Sequence, residues 1–443
     1  MTATREQAGR MRVRRAPRLV FLLGPAFVAA IAYVDPGNVA ANLTAGARFG
    51  YLLVWVLVVA NLMAVLVQYL SAKLGIVTGK SLPQALGERL PRPARLAYWL
   101  QAELVAAATD LAEVIGGAIA LNLLFGVPLI LGGILTGVVS LLILAVQQRH
   151  GQRPFEAVIT GMLAVLTVGF CAGLLFAPPD AGGVVAGLVP RLAGADSLLL
   201  AASMLGATVM PHAIYLHSSL ARDRHVRPGR GTLAGDAVPA GAGSDDAVSD
   251  DAAAAPGPGV STERLLRATR LDVVLALLLA GGVNIGMLLL AAANLSGREG
   301  TDTIEGAHAA IADTLGGGVA VLFAIGLLAS GLASTSVGAY AGAEIMAGLL
   351  RVRISLLVRR LVTLIPAVIL LATGISPTLL LVLSQVVLSF GIPFAMIPLV
   401  VLTRDRALLG RFRNRVATQA TAWLVAAVIV TLNVTLLYLT LAP

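Results

Sequence analysis

The chain has 443 residues, of which 58% are apolar and 12% are charged. Soluble domains usually carry about 25% charged residues, so the composition excludes an ordinary soluble domain and predicts a membrane protein. The net charge of +9 would fit a nucleic-acid partner only if the basic residues formed one patch.

Apolar runs long enough to cross a bilayer, about 20 residues, recur along the whole chain. They predict an all-α polytopic protein with eleven spans. The predicted spans are 19–46, 51–76, 94–125, 128–147, 154–177, 197–221, 271–294, 316–349, 356–374, 376–402 and 416–441.

The basic residues follow the alternation of these spans. All 32 Lys and Arg residues lie in or beside the connections of one side, except Arg48, Arg191 and Arg298. Cytoplasmic connections carry this excess in membrane proteins, so we predict a cytoplasmic N-terminus, an outside C-terminus and a location in the cell (inner) membrane. The same distribution argues against nucleic acid as a partner and leaves the lipid bilayer as the expected surroundings.

The first span contains the sequence YVDPGNV at residues 33–39. Pro36 disfavours helical dihedrals at Asp35, and Gly37 allows the chain to turn freely. We therefore expect Asp35 and Asn38 to project from an extended segment. Because a carboxylate at membrane depth is costly and usually functional, Asp35 is a candidate binding residue.

The third span carries three carboxylates in apolar surroundings, Glu103, Asp110 and Glu113. Their spacing brings all three within about 80° of one helix face. Burial raises the pKa of a carboxyl group toward neutrality, so this stripe indicates a proton relay. The alternative is that some of the three pair with arginines and only stabilise the bundle.

The connection 222–270 differs from all others in length and composition. Its middle, GTLAGDAVPAGAGSDDAVSDDAAAAPGPGVS, has no aromatic residue and is rich in Gly, Ala, Pro, Ser and Asp. Such a segment buries too little surface to order itself, so residues 223–262 are predicted to be a disordered cytoplasmic linker. A regulatory role is the alternative, and no motif supports it.

The sixth span contains a second break, ATVMPHAIYLH at residues 207–217. Pro211 lacks an N–H, so the carbonyl of Ala207 loses its helical donor. Broken backbone is tolerated in a membrane only where it is buried or lines a cavity. Met210, directly before the proline, is displaced toward the same gap, although a membrane methionine is commonly core filler.

The two breaks are five spans apart, and an odd offset places the second half in the opposite orientation. Paired broken helices in inverted halves indicate a transporter with a midplane site. We predict a cytoplasmic tail at 1–18, a first repeat at 19–177, a second repeat at 197–402 and an additional helix at 416–441.

The breaks together supply a carboxylate from Asp35, an amide oxygen from Asn38, a backbone carbonyl from Ala207 and a thioether from Met210. Mg²⁺ and Ca²⁺ prefer oxygen ligands alone. Oxygen ligands with one soft sulfur favour a transition metal such as Mn²⁺ or Fe²⁺.

The DPGN motif in span 1 and the A-x-x-M-P-H motif in span 6, continuing IYLHS, resemble those of the Nramp family of proton-coupled divalent metal transporters. The resemblance covers residues 15–442 without the linker. It implies a LeuT-type fold of five plus five inverted helices and an eleventh helix. It also implies that Asp35, Asn38, Met210 and the Ala207 carbonyl bind the metal, and that the methionine separates this chain from relatives that handle Mg²⁺ or Al³⁺.

The resemblance implies a proton route as well. In Nramp relatives, residues matching Glu103, Asp110 and Glu113 line this route, and arginines of span 9 join them. Arg359 and Arg360 occupy that place here, although either could instead anchor the inner end of the span.

Two further positions take roles from the resemblance. His212, beside the metal site, is expected to act in gating or proton handling. Gln385 in span 10 matches a position that approaches the metal in one conformation, and it could equally be a hydrogen-bonding contact between helices.

Four other positions in the spans bear on detail. We expect His217 to face the inner vestibule and Asn284 to have a structural role. Ala213 and Leu332 depart from residues common in relatives, which are asparagine and, in some branches, glutamine. Neither position belongs to the predicted ligand set, so the expected ion is unchanged.

The prediction is therefore a secondary transporter that imports Mn²⁺, with Fe²⁺ and other divalent transition metals as further substrates, by proton-coupled alternating access. We expect no enzymatic activity and no cofactor, and a monomer as the functional unit. A symporter of a small organic solute on the same fold is the main alternative, although Asp35 would repel a substrate carboxylate. A passive channel and a membrane enzyme are less favoured, because the sequence has paired helix breaks and no nucleophile–base pair.

Overall fold

The computed structural model describes residues 24–150, 152–225, 261–352 and 356–441. The predicted tail at 1–18 and the middle of the predicted linker lie outside these residues. The helices, numbered α1 to α18 in chain order, are Pro25–Ile31, Pro36–Phe49, Val54–Thr78, Leu82–Arg89, Arg92–Phe125, Leu129–His150, Gln152–Cys171, Gly173–Phe176, Ala181–Gly187, Ala195–Thr208, Pro211–His225, Thr262–Asn294, Ile304–Leu315, Gly317–Leu349, Leu356–Ala372, Pro377–Arg404, Arg406–Leu409 and Val416–Leu441.

The described residues contain 8 helical stretches long and apolar enough to cross a membrane. One of them, Pro36–Thr78, joins the second half of span 1 to span 2. Three shorter apolar helices, Pro25–Val34, Leu129–Ile143 and Val362–Ala372, coincide with the remaining predicted spans. The predicted all-α polytopic fold is confirmed.

Helix lengths differ from the prediction at one place in particular. The seventh span was expected at 271–294, but α12 begins at Thr262 and has 33 residues. Ser261 caps this helix, because its side chain accepts a hydrogen bond from the backbone N–H of Arg264. The first turns of α12 therefore extend beyond the apolar run and carry three arginines. The connecting helices α4, α9 and α13 were not predicted.

The packing of the helices repeats after a shift of five spans. In the first set, α2 of span 1 packs on α12 of span 7, and α11 of span 6 packs on α3 of span 2. In the second set, α5 of span 3 packs on α16 of span 10, and α14 of span 8 packs on α7 of span 5. Spans 3 and 8, which exchange under the shift, pack on each other. This pattern is what two inverted repeats of five helices require.

Glycines permit the closest approaches in this packing. A Cβ on Gly46 of α2 would lie 2.5 Å from the carbonyl oxygen of Leu288 in α12. A Cβ on Gly75 of α3 would lie 2.1 Å from the carbonyl oxygen of Ser218 in α11. Small residues are the usual means by which membrane helices come into backbone contact. Both broken spans are therefore held tightly against a continuous neighbour.

Candidate metal site at the two helix breaks

Span 1 breaks at Asp35. Helix α1 ends at Ile31, a turn of 3₁₀ helix follows at Ala32–Val34, and α2 begins at Pro36. Asp35 has extended dihedrals (φ −72°, ψ 168°), as expected for a residue before proline. Its Oδ1 accepts a hydrogen bond from the backbone N–H of Asn38 at 2.7 Å, so the carboxylate caps α2.

Two details of this break differ from the prediction. Asn38 lies in the first turn of α2 and not in an extended segment. Gly37 is also helical, and it is absent from the glycines with positive φ among the described residues. Its role is steric, because a Cβ there would lie 1.7 Å from Nε2 of Gln385. Glycine at this position therefore lets span 10 approach the break.

Span 6 breaks at Val209 and Met210. Helix α10 ends at Thr208 and α11 begins at Pro211, while Val209 has non-helical dihedrals (φ −105°, ψ 58°). Met210 is fully buried at the break. The proline cannot donate to the carbonyl of Ala207, which therefore needs a donor from outside its helix.

Asn38 joins the two breaks. Its Nδ2 donates to Asp35 Oδ1 at 2.8 Å and to the carbonyl oxygen of Ala207 at 3.0 Å. The two N–H groups of the Asn38 amide thus lie between the Asp35 and Ala207 oxygens, both of which were predicted to bind a cation. The breaks, 169 positions apart in the chain, form one polar centre.

Gln385 of α16 completes this centre. Its Nε2 donates to Asp35 Oδ2 at 3.2 Å and to Ser384 Oγ at 3.3 Å. A Cβ on Gly206 of α10 would lie 2.1 Å from the carbonyl oxygen of Gln385, so α10 and α16 are in backbone contact here. Hydrogen bonds thus join four of the five residues predicted to bind metal, and Met210, the fifth, is buried three residues after Ala207.

The polar atoms of this centre fit a cation. Among the described residues, Asn38 Oδ1 and Gln385 Oε1 are buried without a hydrogen-bond partner, as is Thr208 Oγ1 of α10. A buried acceptor without a partner is costly, and a metal ion satisfies it. Rotation of the Asn38 amide would turn Oδ1 toward the Asp35 carboxylate and the Ala207 carbonyl. The centre then offers oxygen ligands together with the buried thioether of Met210.

This donor set is sparse in ionisable ligands. The part of the chain that the structure describes contains no group of three His, Cys, Asp or Glu residues able to hold a metal. The centre instead combines one carboxylate with neutral oxygens and a sulfur. Such a site neutralises only part of a divalent charge, which suits an ion that must leave again.

The centre is closed to solvent in this conformation. Asp35, Asn38, Met210 and Gln385 are each 0% exposed. Entry and exit of an ion therefore require movement of the surrounding helices.

Polar contacts also fix the opposite ends of the broken spans to their neighbours. At one end, Arg48 of α2 forms an ion pair with Asp196 of α10 at 2.6 Å. At the other end, the Asp272 carboxylate of α12 accepts hydrogen bonds from the backbone N–H groups of Gly24 and Ala26, both at 3.0 Å. These contacts satisfy the first turn of α1 and fix it against span 7.

The acidic stripe of span 3 lies on α5. Asp110 and Glu113 are buried, at 1% and 0% exposure, and Glu103 is partly buried. Gly338 of α14 faces the Glu113 carboxylate, because a Cβ there would lie 3.0 Å from Oε1. Glu113 therefore lies in the interface between spans 3 and 8.

His212 connects this stripe to the helix break. Its Nδ1 lies 3.2 Å from Thr109 Oγ1, next to Asp110 in the chain. Arg359 and Arg360 are in α15, which packs against α5, but their side chains lie outside the described part of the structure. Ala213, the departure next to His212, is fully buried.

A second polar chain at the break was not predicted from the sequence. Nε2 of Gln68 in α3 donates to the Tyr33 hydroxyl, and its Oε1 lies 2.7 Å from Nδ1 of His217. His217 is 1% exposed, so it does not line an open vestibule in this conformation. Gln68 in the apolar run LVQYLSAK was the available signal.

The carbonyls freed at the end of α1 also find partners. Asn284 Nδ2 donates to the Tyr33 carbonyl at 2.6 Å, and Ser330 Oγ donates to the Val34 carbonyl at 2.5 Å. Asn284 Oδ1 accepts from Asn42 Nδ2 at 2.9 Å. These contacts give Asn284 the structural role expected of it, because they satisfy the unwound turn.

Comparison with known proteins gives relatives along nearly the whole chain. Divalent metal cation transporter MntH of Mycobacterium tuberculosis strain H37Rv is 60% identical over 420 residues, covering 95% of this chain and 92% of the relative. Divalent metal cation transporter MntH of Bacillus subtilis strain 168 is 45% identical over 429 residues, covering 96% and 94%.

Solved structures match the fold over the same extent. The manganese transporter of Eremococcus coleocola superposes with a TM-score of 0.78 at 30% identity, covering 94% of this chain and 85% of that one. MhsT in complex with L-phenylalanine superposes with a TM-score of 0.56 at 15% identity, covering 94% and 97%. The latter likeness supports the LeuT-type fold alone. The profile of the natural resistance-associated macrophage protein-like family matches residues 26–439, and the chain belongs to this Nramp family.

Proposed function

We propose that the protein is a secondary transporter that imports Mn²⁺ into the cytoplasm, with Fe²⁺ as a further substrate. Protons are the coupling ion, and no cofactor is required. Membership of the Nramp family and relatives named divalent metal cation transporters support metal transport. The Eremococcus protein is named a manganese transporter. We further propose a monomer in the cell membrane with its N-terminus in the cytoplasm.

The observation that carries the proposal is the meeting of the two breaks. Asp35, the Ala207 carbonyl and Gln385 converge through hydrogen bonds of 2.8–3.2 Å that run through Asn38 and Gln385 amides. An amide N–H group attracts the same oxygens as a cation does, but more weakly. A divalent ion would replace these donors and take up the two amide oxygens that have no partner among the described residues.

The sulfur of Met210 supports a transition metal over Mg²⁺ or Ca²⁺. Hard cations gain nothing from a thioether, whereas Mn²⁺ and Fe²⁺ tolerate a mixed oxygen and sulfur shell. Met210 is fully buried at the break, directly before Pro211. Its contribution would therefore be selectivity more than affinity.

The buried carboxylates of α5 support proton coupling. Asp110 and Glu113 are buried on α5, the first one residue and the second one turn after Thr109. Thr109 contacts His212, which lies beside the predicted metal ligands. A proton can move along closely spaced titratable groups in a membrane interior. We propose that Arg359 and Arg360 of α15, which packs against α5, take part in the same route.

The membrane potential favours the inward direction of transport. Two positive charges that move inward across 100 mV gain about 4–5 kcal/mol. In alternating access, the outer contact between Arg48 and Asp196 and the inner contact of Asp272 with the start of α1 would break in turn. The ion would be occluded between them, as the buried centre suggests.

Import of an organic solute on the same fold is less well supported. The likeness to MhsT, whose structure contains L-phenylalanine, is at 15% identity and concerns the fold. The break in span 1 presents a carboxylate at its centre, which would repel the carboxylate of an amino acid.

The experiment that tests the proposal is ion uptake in proteoliposomes. Wild-type protein should take up Mn²⁺ and Fe²⁺ in preference to Ca²⁺ and Mg²⁺ and should acidify the lumen as metal enters. Asp35→Ala should abolish uptake. Equal flux in the variant, or preference for Mg²⁺, would contradict the proposal.

A further inference from the structure

A basic cavity lies away from the helix breaks, between α3, the first turns of α12 and the beginning of α18. Its volume is about 470 Å³, and a second cavity of about 710 Å³ shares Arg411, Arg413 and Arg415 with it. Both open where the short helix α17 leads into α18. Neither cavity contains a residue of the metal centre.

The charge of the first cavity is strongly unbalanced. Besides the three shared arginines it is lined by Arg267, Arg270 and Lys73, while Glu263 is the one carboxylate among its described lining residues. Arg411 forms an ion pair with Glu263 at 3.4 Å, so that carboxylate is already engaged. The remaining cations face the same space without an equal negative charge.

The charge imbalance of the first cavity includes a buried cation, Lys73. The residue is 7% exposed, and its Nζ donates to Asn414 Oδ1, a neutral acceptor, at 2.9 Å. Asn414 Nδ2 in turn donates to Thr403 Oγ1 at 2.8 Å, which fixes the amide with its oxygen toward the lysine. Lys73 forms no ion pair with any described residue. A buried ammonium without a counter-charge is costly, and an anion in the cavity would remove that cost.

Aromatic rings orient two of the guanidinium groups. Arg270 lies over the ring of Tyr69 at 5.1 Å, and Arg411 lies over the ring of Phe412 at 4.8 Å. Stacking fixes the plane of a guanidinium without using its N–H groups. A guanidinium edge binds the paired oxygens of a phosphate group in a bidentate manner.

The second cavity adds an apolar side. It is lined by Val416 and Trp423 of α18, which are 87% and 41% exposed, and Leu424 beside them is 64% exposed. Trp423 lies about 10 Å along α18 from Val416. Arginines at the helix start, a tryptophan deeper and exposed leucine beyond it match the order of headgroup, interface and acyl chains in a bilayer.

We propose that the two cavities bind the headgroup of an anionic phospholipid, with its phosphate on Lys73 and the shared arginines and its acyl chains along α18. Because two adjoining cavities share three arginines, a headgroup with two phosphates should bind more tightly than one with a single phosphate. Basic pockets between membrane helices on the cytoplasmic side bind such headgroups in general. This inference does not depend on the identity of the transported ion.

Native mass spectrometry of delipidated full-length protein tests the proposal. The protein is titrated with diphosphatidylglycerol, phosphatidylglycerol and phosphatidylcholine. We expect the tightest binding for the first and the weakest for the last. Arg413→Gln combined with Arg415→Gln should weaken diphosphatidylglycerol binding at least tenfold. The corresponding lysine variants should retain part of the binding, because they keep the charge but lose the bidentate edge.

The matched control removes the same charge from residues outside both cavities, Arg92→Gln combined with Arg406→Gln, and should leave binding unchanged. Equal losses in the two double variants would overturn the site in favour of a general basic surface. Equal binding of phosphatidylcholine would overturn the phosphate recognition. Displacement of the lipid by millimolar inorganic phosphate would assign the cavities to a soluble anion and overturn the lipid proposal.

Discussion

Asn38 donates a hydrogen bond from its side-chain amide to the carbonyl oxygen of Ala207 at 3.0 Å. The acceptor is the carbonyl that Pro211 deprives of its helical donor, and the donor is held by the Asp35 cap of the other broken helix. A side chain of span 1 therefore satisfies a backbone carbonyl that is freed in span 6. A carbonyl without a donor is costly in a membrane interior, so the break in span 6 depends on this side chain from span 1. The Tyr33 and Val34 carbonyls of span 1 take their donors from Asn284 and Ser330 instead.

Met210→Ala should broaden the ion selectivity. Removal of the thioether leaves an oxygen site, which Ca²⁺ and Mg²⁺ prefer. We expect Ca²⁺ to inhibit Mn²⁺ uptake in the variant and to have little effect on the wild type. Competition assays in proteoliposomes measure this. Continued resistance of the variant to Ca²⁺ would mean that Met210 does not determine selectivity.

Gly37→Ala should lower Mn²⁺ uptake by displacing Gln385. The new Cβ would lie 1.7 Å from Nε2 of Gln385, and this flexible side chain can swing away and lose its contact with Asp35. The Gly37→Ala and Gln385→Ala variants should therefore take up Mn²⁺ at similar reduced rates. The double variant should show no further loss of uptake.

The matched control for this cycle is Gly282→Ala, because a Cβ there meets nothing within 4 Å. It should transport as the wild type does. Additive losses from Gly37→Ala and Gln385→Ala would show that the two substitutions act on different steps.

Asp110→Asn should separate metal uptake from proton movement. The side chain is 1% exposed on α5, one residue from Thr109 and the contact with His212, and asparagine keeps its size without a titratable group. Simultaneous recording of Mn²⁺ uptake and lumenal pH should give metal entry with reduced acidification. Unchanged acidification at intact metal flux would remove Asp110 from the proton route.

Gly75→Ala should destabilise the protein. Its Cβ would lie 2.1 Å from the backbone oxygen of Ser218, and backbone cannot move aside as a side chain can. Overpacking of this kind costs about 1–3 kcal/mol. The unfolding temperature of the purified protein should fall, whereas Gly282→Ala should leave it unchanged. Equal unfolding temperatures would show that α3 and α11 tolerate a wider separation.

Much of this architecture could be predicted because its causes are local. An apolar run of sufficient length specifies a span, and a proline specifies which carbonyl loses its donor. The extended dihedrals of Asp35 and the break at Met210 follow from the prolines beside them. The five-span offset of the two motifs also predicts the inverted repeat.

The features that could not be predicted depend on contacts between distant residues. Nothing in the sequence near Gly37 indicates that Gln385 lies against it. The sequence therefore predicts a flexible turn at Gly37, where the structure has a helix. Gln68 and His217 are 149 positions apart, and their pairing exists only in the packed bundle. Lys73 and Asn414 are 341 positions apart, and their contact likewise depends on the fold.

The most direct test of the shared cation site is the position of Mn²⁺ in a crystal of the loaded protein, located by its anomalous scattering. We expect one strong peak between Asp35, Asn38, the Ala207 carbonyl and Met210, with the Asn38 amide turned to present its oxygen. The Asp35→Asn variant should show no peak there. A peak at another position in the bundle, or an unchanged peak in the variant, would contradict it.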